Sequence, residues 1–176
     1  MSGHNKWSKV KNKKAVTDAK KGKIYTKMAR LITVEVKKAG GNINSPGVKA
    51  IVARAREYDV PNENIERALK KGGDKNAAEM EAILYEAYGP GGVAIMIEVL
   101  TDNRNKAAAE VKHILTKNGS DLAAPGSASW AFNKTAEGYI PNMSIPLSPE
   151  DSTKLDEIIE ALEDNDEVQE VYTNVE

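Results

Sequence analysis

Near the start of the chain, Lys6, Lys9, Lys11, Lys13 and Lys14 surround a single indole, Trp7. Ammonium groups at that density neutralise phosphates and release their counterions, and an indole offers a flat face on which a base can stack. The structural alternative is that Trp7 pins the arm to the body of the protein while the lysines are merely solvated. Lys20, Lys21, Lys23 and Lys27 continue the basic run. A second candidate contact is Arg104 and Lys106 in Asp102-Asn103-Arg104-Asn105-Lys106, where a strand is expected to feed a helix. A helix N-terminus beside two cations suits a phosphate, whereas the same Asn and Asp residues also serve as turn and cap.

Other chemistries find less to rest on. Gly89-Pro90-Gly91-Gly92 has strands expected on both sides and no following Lys-Ser/Thr pair, so it reads as a strand-strand turn and not as a phosphate loop. Glu150, Asp151, Asp156, Glu157, Glu160, Glu163 and Asp164 crowd one helix opposite its Leu155/Ile159/Leu162 stripe. That placement describes a solvated face; general acid-base catalysis needs paired carboxylates in a dry cleft. With no Cys and only His4 and His113, disulfides, thiolate nucleophiles and His- or Cys-based metal sites are not expected. No catalytic constellation, metal site or cofactor is expected.

A formal net charge of −1 over 176 residues conceals a split. Residues 1–75 carry 19 Lys+Arg against 7 Asp+Glu, and residues 76–176 carry 6 against 19, so the halves stand at +12 and −13. Such asymmetry points to nucleic acid or another polyanion at the basic end. The competing reading is a protein-interaction module in which opposite charges drive assembly. The apolar run Val93 to Ile97 is too short to span a bilayer, and no apolar signal region follows the basic N-terminus. A cytoplasmic, membrane-free protein is therefore expected; a monomer is favoured, with the oligomeric state left open.

These side chains need elements to hold them. From Asp18 to Ala39, apolar residues recur at three- and four-residue steps, predicting a helix that Gly40-Gly41 ends. Ser45-Pro46 and Pro61 open two more helices, and Gly72-Gly73 stops the last. After Asp74 the period becomes that of strands at Ile83–Tyr88 and Val93–Thr101, with a helix at Asn105–Lys117. Ala128, Trp130 and Phe132 alternate as a strand, another runs through Tyr139 to Ile145, and Ser148-Pro149 caps a helix before a final strand at Val168–Val175. The expected fold class is α+β. A basic helical domain (1–75) precedes an acidic split-βαβ, ferredoxin-like domain (76–176) with one extra N-terminal strand.

Gly3-His4-Asn5-Lys6-Trp7-Ser8-Lys9-Val10-Lys11, Lys20-Lys21-Gly22-Lys23-Ile24-Tyr25-Thr26-Lys27, Tyr88-Gly89-Pro90-Gly91-Gly92-Val93-Ala94-Ile95-Met96, Asp102-Asn103-Arg104-Asn105-Lys106 and Asp166-Glu167-Val168-Gln169-Glu170-Val171-Tyr172 resemble blocks of the YebC/PmpR family, in order along the chain. The resemblance implies a cytoplasmic, non-enzymatic regulator of gene expression that binds duplex DNA. Its alternative is a ribosome-associated translation factor that contacts ribosomal or transfer RNA and supports elongation at stalled, proline-rich sequences. Typical members are longer, with a further α/β module between the Trp130–Phe132 strand and the strand preceding the last helix. Here only the turn from Asn133 to Gly138 stands in that place.

Overall fold

The computed structural model describes residues 18–176. The arm residues Lys6, Trp7, Lys9, Lys11, Lys13 and Lys14 therefore lie outside the described residues. Residues 18–80 belong to one compact unit and Glu81–Glu176 to a second.

Helix α1 (Asp18–Lys38) buries Ile24, Met28, Ile32 and Val36, the four-residue rhythm that places side chains on one face. Helix α2 (Pro46–Glu57) starts where Ser45 accepts the Val48 N–H at 3.4 Å, with Pro46 pre-set for the first turn. Helix α3 (Asn62–Gly73) buries Ile65, Ala68 and Gly72. Both short helices pack on α1. The α1–α3 contact is close because Gly72 has no side chain: a Cβ there would stand 2.6 Å from the Val36 Cβ and 2.9 Å from the Thr33 carbonyl oxygen.

In the second unit, strands β1 (Glu81–Tyr88), β2 (Ala94–Thr101), β3 (Asp121–Ala123) and β6 (Val168–Thr173) form one sheet in the order β3-β1-β2-β6, antiparallel throughout. The turn from β1 to β2 uses Gly91 and Gly92 at φ 67° and 82°, as a tight strand-strand connection requires. Helix α4 (Arg104–Lys117) joins β2 to β3. Both strands run opposite to β1, which lies between them, so β2-α4-β3 is a split β-α-β unit whose dividing strand is the extra N-terminal one.

Helix α5 (Pro149–Glu163) leads into β6. Val111 and Leu115 of α4 and Leu155, Ile158 and Leu162 of α5 cover the sheet face made by Ile95, Ile97, Val99, Val168 and Val171. The opposite face is covered in part by the hairpin β4 (Phe132–Thr135) and β5 (Gly138–Pro141), with Phe132 and Tyr139 packed on Met96 and Tyr172.

Two strand expectations differ from the structure. The Ala128-Trp130-Phe132 stretch is a 3-10 turn at Ser129–Ala131 followed by β4, so Ala128 and Ala131 are buried while Trp130 is 56% exposed. The three-residue spacing of the two alanines matches a turn with three residues per revolution, not an alternating strand. The strand expected through Tyr139 to Ile145 is the short β5, paired only with β4, and Ile145 makes one parallel bridge to Val175. Pro141 and Pro146 lack the N–H groups that a longer ladder would use.

Candidate nucleic-acid interface

Among the expected contacts that are described, Lys20 and Lys21 are exposed in the first turn of α1, and Lys23 is half-buried. Lys27 differs. It is 1% exposed, on the side of α1 that also buries Ile24 and Met28. The helical unit presents further cations that motif reading passed over: Lys49, Arg56, Arg67, Lys70 and Lys71 are all exposed. Their signal was available, since Arg54 and Arg56 end α2 and Lys70 and Lys71 end α3. Basic residues in a last turn also answer the negative end of the helix dipole, so each has a structural use without any ligand.

The second candidate contact is taken up internally. Arg104 forms an ion pair with Glu81 through both Nε and a terminal guanidinium nitrogen. The hydrogen bond from Arg104 holds the Glu81 carboxyl below its ordinary range. Lys106 lies 3.8 Å from Glu110 and 3.6 Å from the buried Glu167. Asn103 accepts the Lys106 N–H at 3.0 Å and caps α4. This stretch is thus brought together with carboxylates, and its Asn performs the cap chemistry.

The α5 carboxylates behave as a solvated face: Asp156, Glu157, Glu160 and Asp164 are exposed, and Glu150 pairs with Lys154 at 2.9 Å. Glu86 was not anticipated. Its carboxylate is 4% exposed and accepts backbone N–H groups from Gly126 (2.5 Å), Ala128 (3.0 Å) and Ser129 (2.7 Å). Burial pushes its pKa up, but the three N–H donors outweigh burial and hold it below the ordinary value. This loop delivers Trp130, whose indole N–H donates to the Tyr88 hydroxyl at 2.7 Å, while that hydroxyl donates to the Ser127 carbonyl at 2.5 Å. The ring is exposed but its one polar atom is already satisfied.

Among the described residues, no group of three or more His, Cys, Asp or Glu side chains could hold a metal ion, and no helix is long and apolar enough to cross a membrane.

Residues 5–75 match the family model described as the TACO1/YebC protein N-terminal domain, and residues 80–137 and 134–175 match that of the TACO1/YebC second and third domain. The chain belongs to the TACO1/YebC family. A probable transcriptional regulatory protein of Pelotomaculum thermopropionicum is 36% identical over 240 residues, spanning 100% of this chain and 99% of its own. One of Thermotoga maritima is 37% identical over 238 residues, spanning 100% and 94%. A shorter match, 52% identical over 136 residues, covers 76% of this chain and 56% of a Finegoldia magna protein of the same description. The crystal structure of a conserved hypothetical protein from Aquifex aeolicus superposes with a TM-score of 0.85 at 28% identity, covering 98% of this chain and 97% of that one.

The longer alignments run to 240 and 238 positions against 176 residues here, so these relatives carry residues that this chain lacks. The two matched segments of the second family model meet at residues 134–137, in the β4–β5 hairpin. The short form expected from the sequence is thus a family member without an inserted module.

Proposed function

We propose that the protein is a non-enzymatic regulator of gene expression that binds nucleic acid through its basic arm and helical unit, with duplex DNA as the first target. The observation that carries this reading is the segregation of charge. Residues 18–80 hold 14 Lys+Arg against 8 Asp+Glu, and residues 81–176 hold 6 against 18. The exposed Lys20, Lys21, Lys49, Arg56, Arg67, Lys70 and Lys71 supply phosphate contacts. Phosphate contacts position a protein without reading bases, so sequence specificity is weak. The relatives named as transcriptional regulatory proteins support DNA as the target. Arg104 and Lys106 contribute only where a phosphate displaces Glu81, Glu110 and Glu167 from them.

A second reading, RNA on the ribosome, draws on Trp130. An exposed indole with its N–H already bonded presents a free flat face, which suits an unpaired base better than a duplex groove. A competition at physiological salt separates the two. Labelled protein is bound to duplex DNA, purified ribosomes are titrated in, and the distribution is followed by sedimentation. Retention on DNA supports the transcriptional reading, and capture by ribosomes at far lower concentration overturns it in favour of translation. In either case, changing Lys9, Lys11, Lys13 and Lys14 together to Glu abolishes binding; unchanged affinity refutes the basic-arm mechanism.

A further inference from the structure

Four large apolar side chains stand clearly exposed among the described residues: Ile43, Trp130, Ile140 and Met143. The last three meet at one edge of the β4–β5 hairpin. The Asn142 N–H donates to the Ala131 carbonyl at 2.9 Å, and the Asn142 carboxamide donates to the Trp130 carbonyl at 2.8 Å. Ile140 pairs with Asn133, one position from the Phe132–Pro141 pair. Apolar residues scattered singly over a surface need no explanation, whereas a group gathered around an indole marks an interaction site.

Polar bonds hold Trp130 in place. Its Nε1–H donates to the Tyr88 hydroxyl at 2.7 Å, and that hydroxyl donates to the Ser127 carbonyl at 2.5 Å. Beneath them Glu86 fastens the loop through the N–H groups of Gly126, Ala128 and Ser129. The side chain is nevertheless 56% exposed. An indole fixed in advance spares a partner the entropy of freezing its rotamer. Its one polar atom is consumed, so what the ring still offers is π surface.

The surroundings select the occupant. Lys134, four residues along the same hairpin, is exposed; it attracts Glu98 from a distance and closes no ion pair among the described residues. The Asn142 carboxamide oxygen accepts no donor among the described residues. Helix α5, which bears the cluster of exposed carboxylates, packs on the opposite face of the sheet. A π surface, a spare cation and a spare acceptor answer the three parts of one unpaired nucleotide: base face, phosphate and base edge. A paired base hides its faces in its own stack, and an apolar protein anchor has no use for the cation.

We propose that Trp130 is a stacking platform for one unpaired nucleobase, with Lys134 on a neighbouring phosphate and the Asn142 carboxamide oxygen on an N–H of the base edge. The site rests on the nucleic-acid reading above and adds a preference to it, single strands over duplexes. It also gives the acidic unit a direct part in binding, which its net charge alone would deny it.

The chain has two tryptophans, Trp7 and Trp130. Trp7→Phe in the full-length protein leaves Trp130 as the only indole, so its emission reports on the platform directly. This variant is titrated at physiological salt with single-stranded oligoadenylate, with the same strand annealed to oligouridylate, and with an abasic strand of equal length and charge. The anisotropy of labelled strands gives the affinities. The single strand should quench Trp130 emission by more than half, while the duplex and the abasic strand bind through phosphates and leave it unchanged. Adding Trp130→Ala should weaken single-strand binding roughly 5- to 150-fold and leave the abasic strand unaffected. The slope of log affinity against log salt should hold, because no phosphate contact is lost. Trp130→Phe should recover most of the loss, and the amide spectrum reports that each variant is folded.

Unchanged Trp130 emission in a protein that binds the single strand overturns the platform while the nucleic-acid reading stands. Equal affinity for the base-bearing and abasic strands does the same. An emission shift that follows protein concentration with no strand present also overturns it, by assigning the patch to a second copy. If no strand or duplex binds, the nucleic-acid reading has failed and the platform falls with it. Quenching by oligodeoxyadenylate as well supports a platform for any single strand; quenching by RNA alone supports one that also uses the 2′-hydroxyl.

Discussion

Replacing Glu86 by Gln tests whether one buried carboxylate holds the loop that presents Trp130. In the native chain one oxygen takes the Gly126 N–H and the other takes those of Ala128 and Ser129. Glutamine offers a single oxygen. Directed at Ala128 and Ser129, it leaves the Gly126 N–H facing an NH2 group, an orphaned donor that costs roughly 1–3 kcal/mol. The two remaining bonds fall from charge-assisted, roughly 1.5–3 kcal/mol each, to neutral, about 1 kcal/mol each. Burying an amide instead of a carboxylate returns part of this, because the desolvation of a charge is removed. The net expectation is a loss of about 2–4 kcal/mol, which for a unit of this size lowers the midpoint of thermal unfolding by ~10–25 °C.

The pH dependence supplies an independent check. The folded-state pKa of Glu86 is held below the unfolded one, so its stabilisation is complete above the ordinary carboxylate range and disappears as pH falls through the lower, folded value. The gap between wild type and Glu86→Gln should therefore be widest at pH 7 and close on acidification. Calorimetry on both proteins across that range measures it. A difference below about 0.5 kcal/mol at pH 7, or a gap that does not narrow in acid, refutes the assignment of Glu86 as the loop's anchor.

Three further outcomes follow from close approaches and caps. Gly138 has φ 119°, and a Cβ there would lie 2.3 Å from the Tyr172 hydroxyl oxygen, so Gly138→Ala should cost ~2–4 kcal/mol in urea unfolding and displace the Tyr139–Tyr172 edge contact seen at 5.4 Å. In the helical unit, Gly72→Ala gains up to about 1 kcal/mol of helix propensity but drives a methyl into Val36 and the Thr33 carbonyl. A net loss of ~1–3 kcal/mol confined to the helical signals is expected by hydrogen exchange. Removing the α4 cap with Asn103→Ala should cost about 0.5–2 kcal/mol, read from the urea midpoint, and leave the Arg104–Glu81 pair in place.

How much of this was legible in the sequence depended on whether the signal was local. The three helices of the first unit announce themselves through four-residue apolar steps and through Ser45-Pro46, and these are the features that local backbone chemistry enforces. The split β-α-β unit follows from alternation in β2 and the cap at Asn103. Lys27 lies inside a basic run, where a lysine reads as solvated, yet it is 1% exposed. Trp130 reads as a strand residue because Ala128 and Phe132 flank it at even spacing, whereas the 3-10 turn at Ser129–Ala131 and the long-range bond to Tyr88 place it otherwise. Glu86 lies about 40 positions from the amides it binds. Such a pairing leaves no trace in any window of sequence.

The hairpin at residues 132–141 explains how one family accommodates chains of different length. Thr135 and Gly138 are paired neighbours, so the chain leaves β4 and re-enters β5 at almost the same point in space. A body of any size can hang from such a point as from a doorway, because its two ends start side by side and neither strand need shift to admit it. Deleting or lengthening the connection leaves the four-stranded sheet untouched, since the hairpin contributes no rung to its ladder. This turn is accordingly the natural seam of the molecule. It is the place where evolution could add or subtract a whole module in one step, and where a reporter domain can be spliced without rewriting the fold.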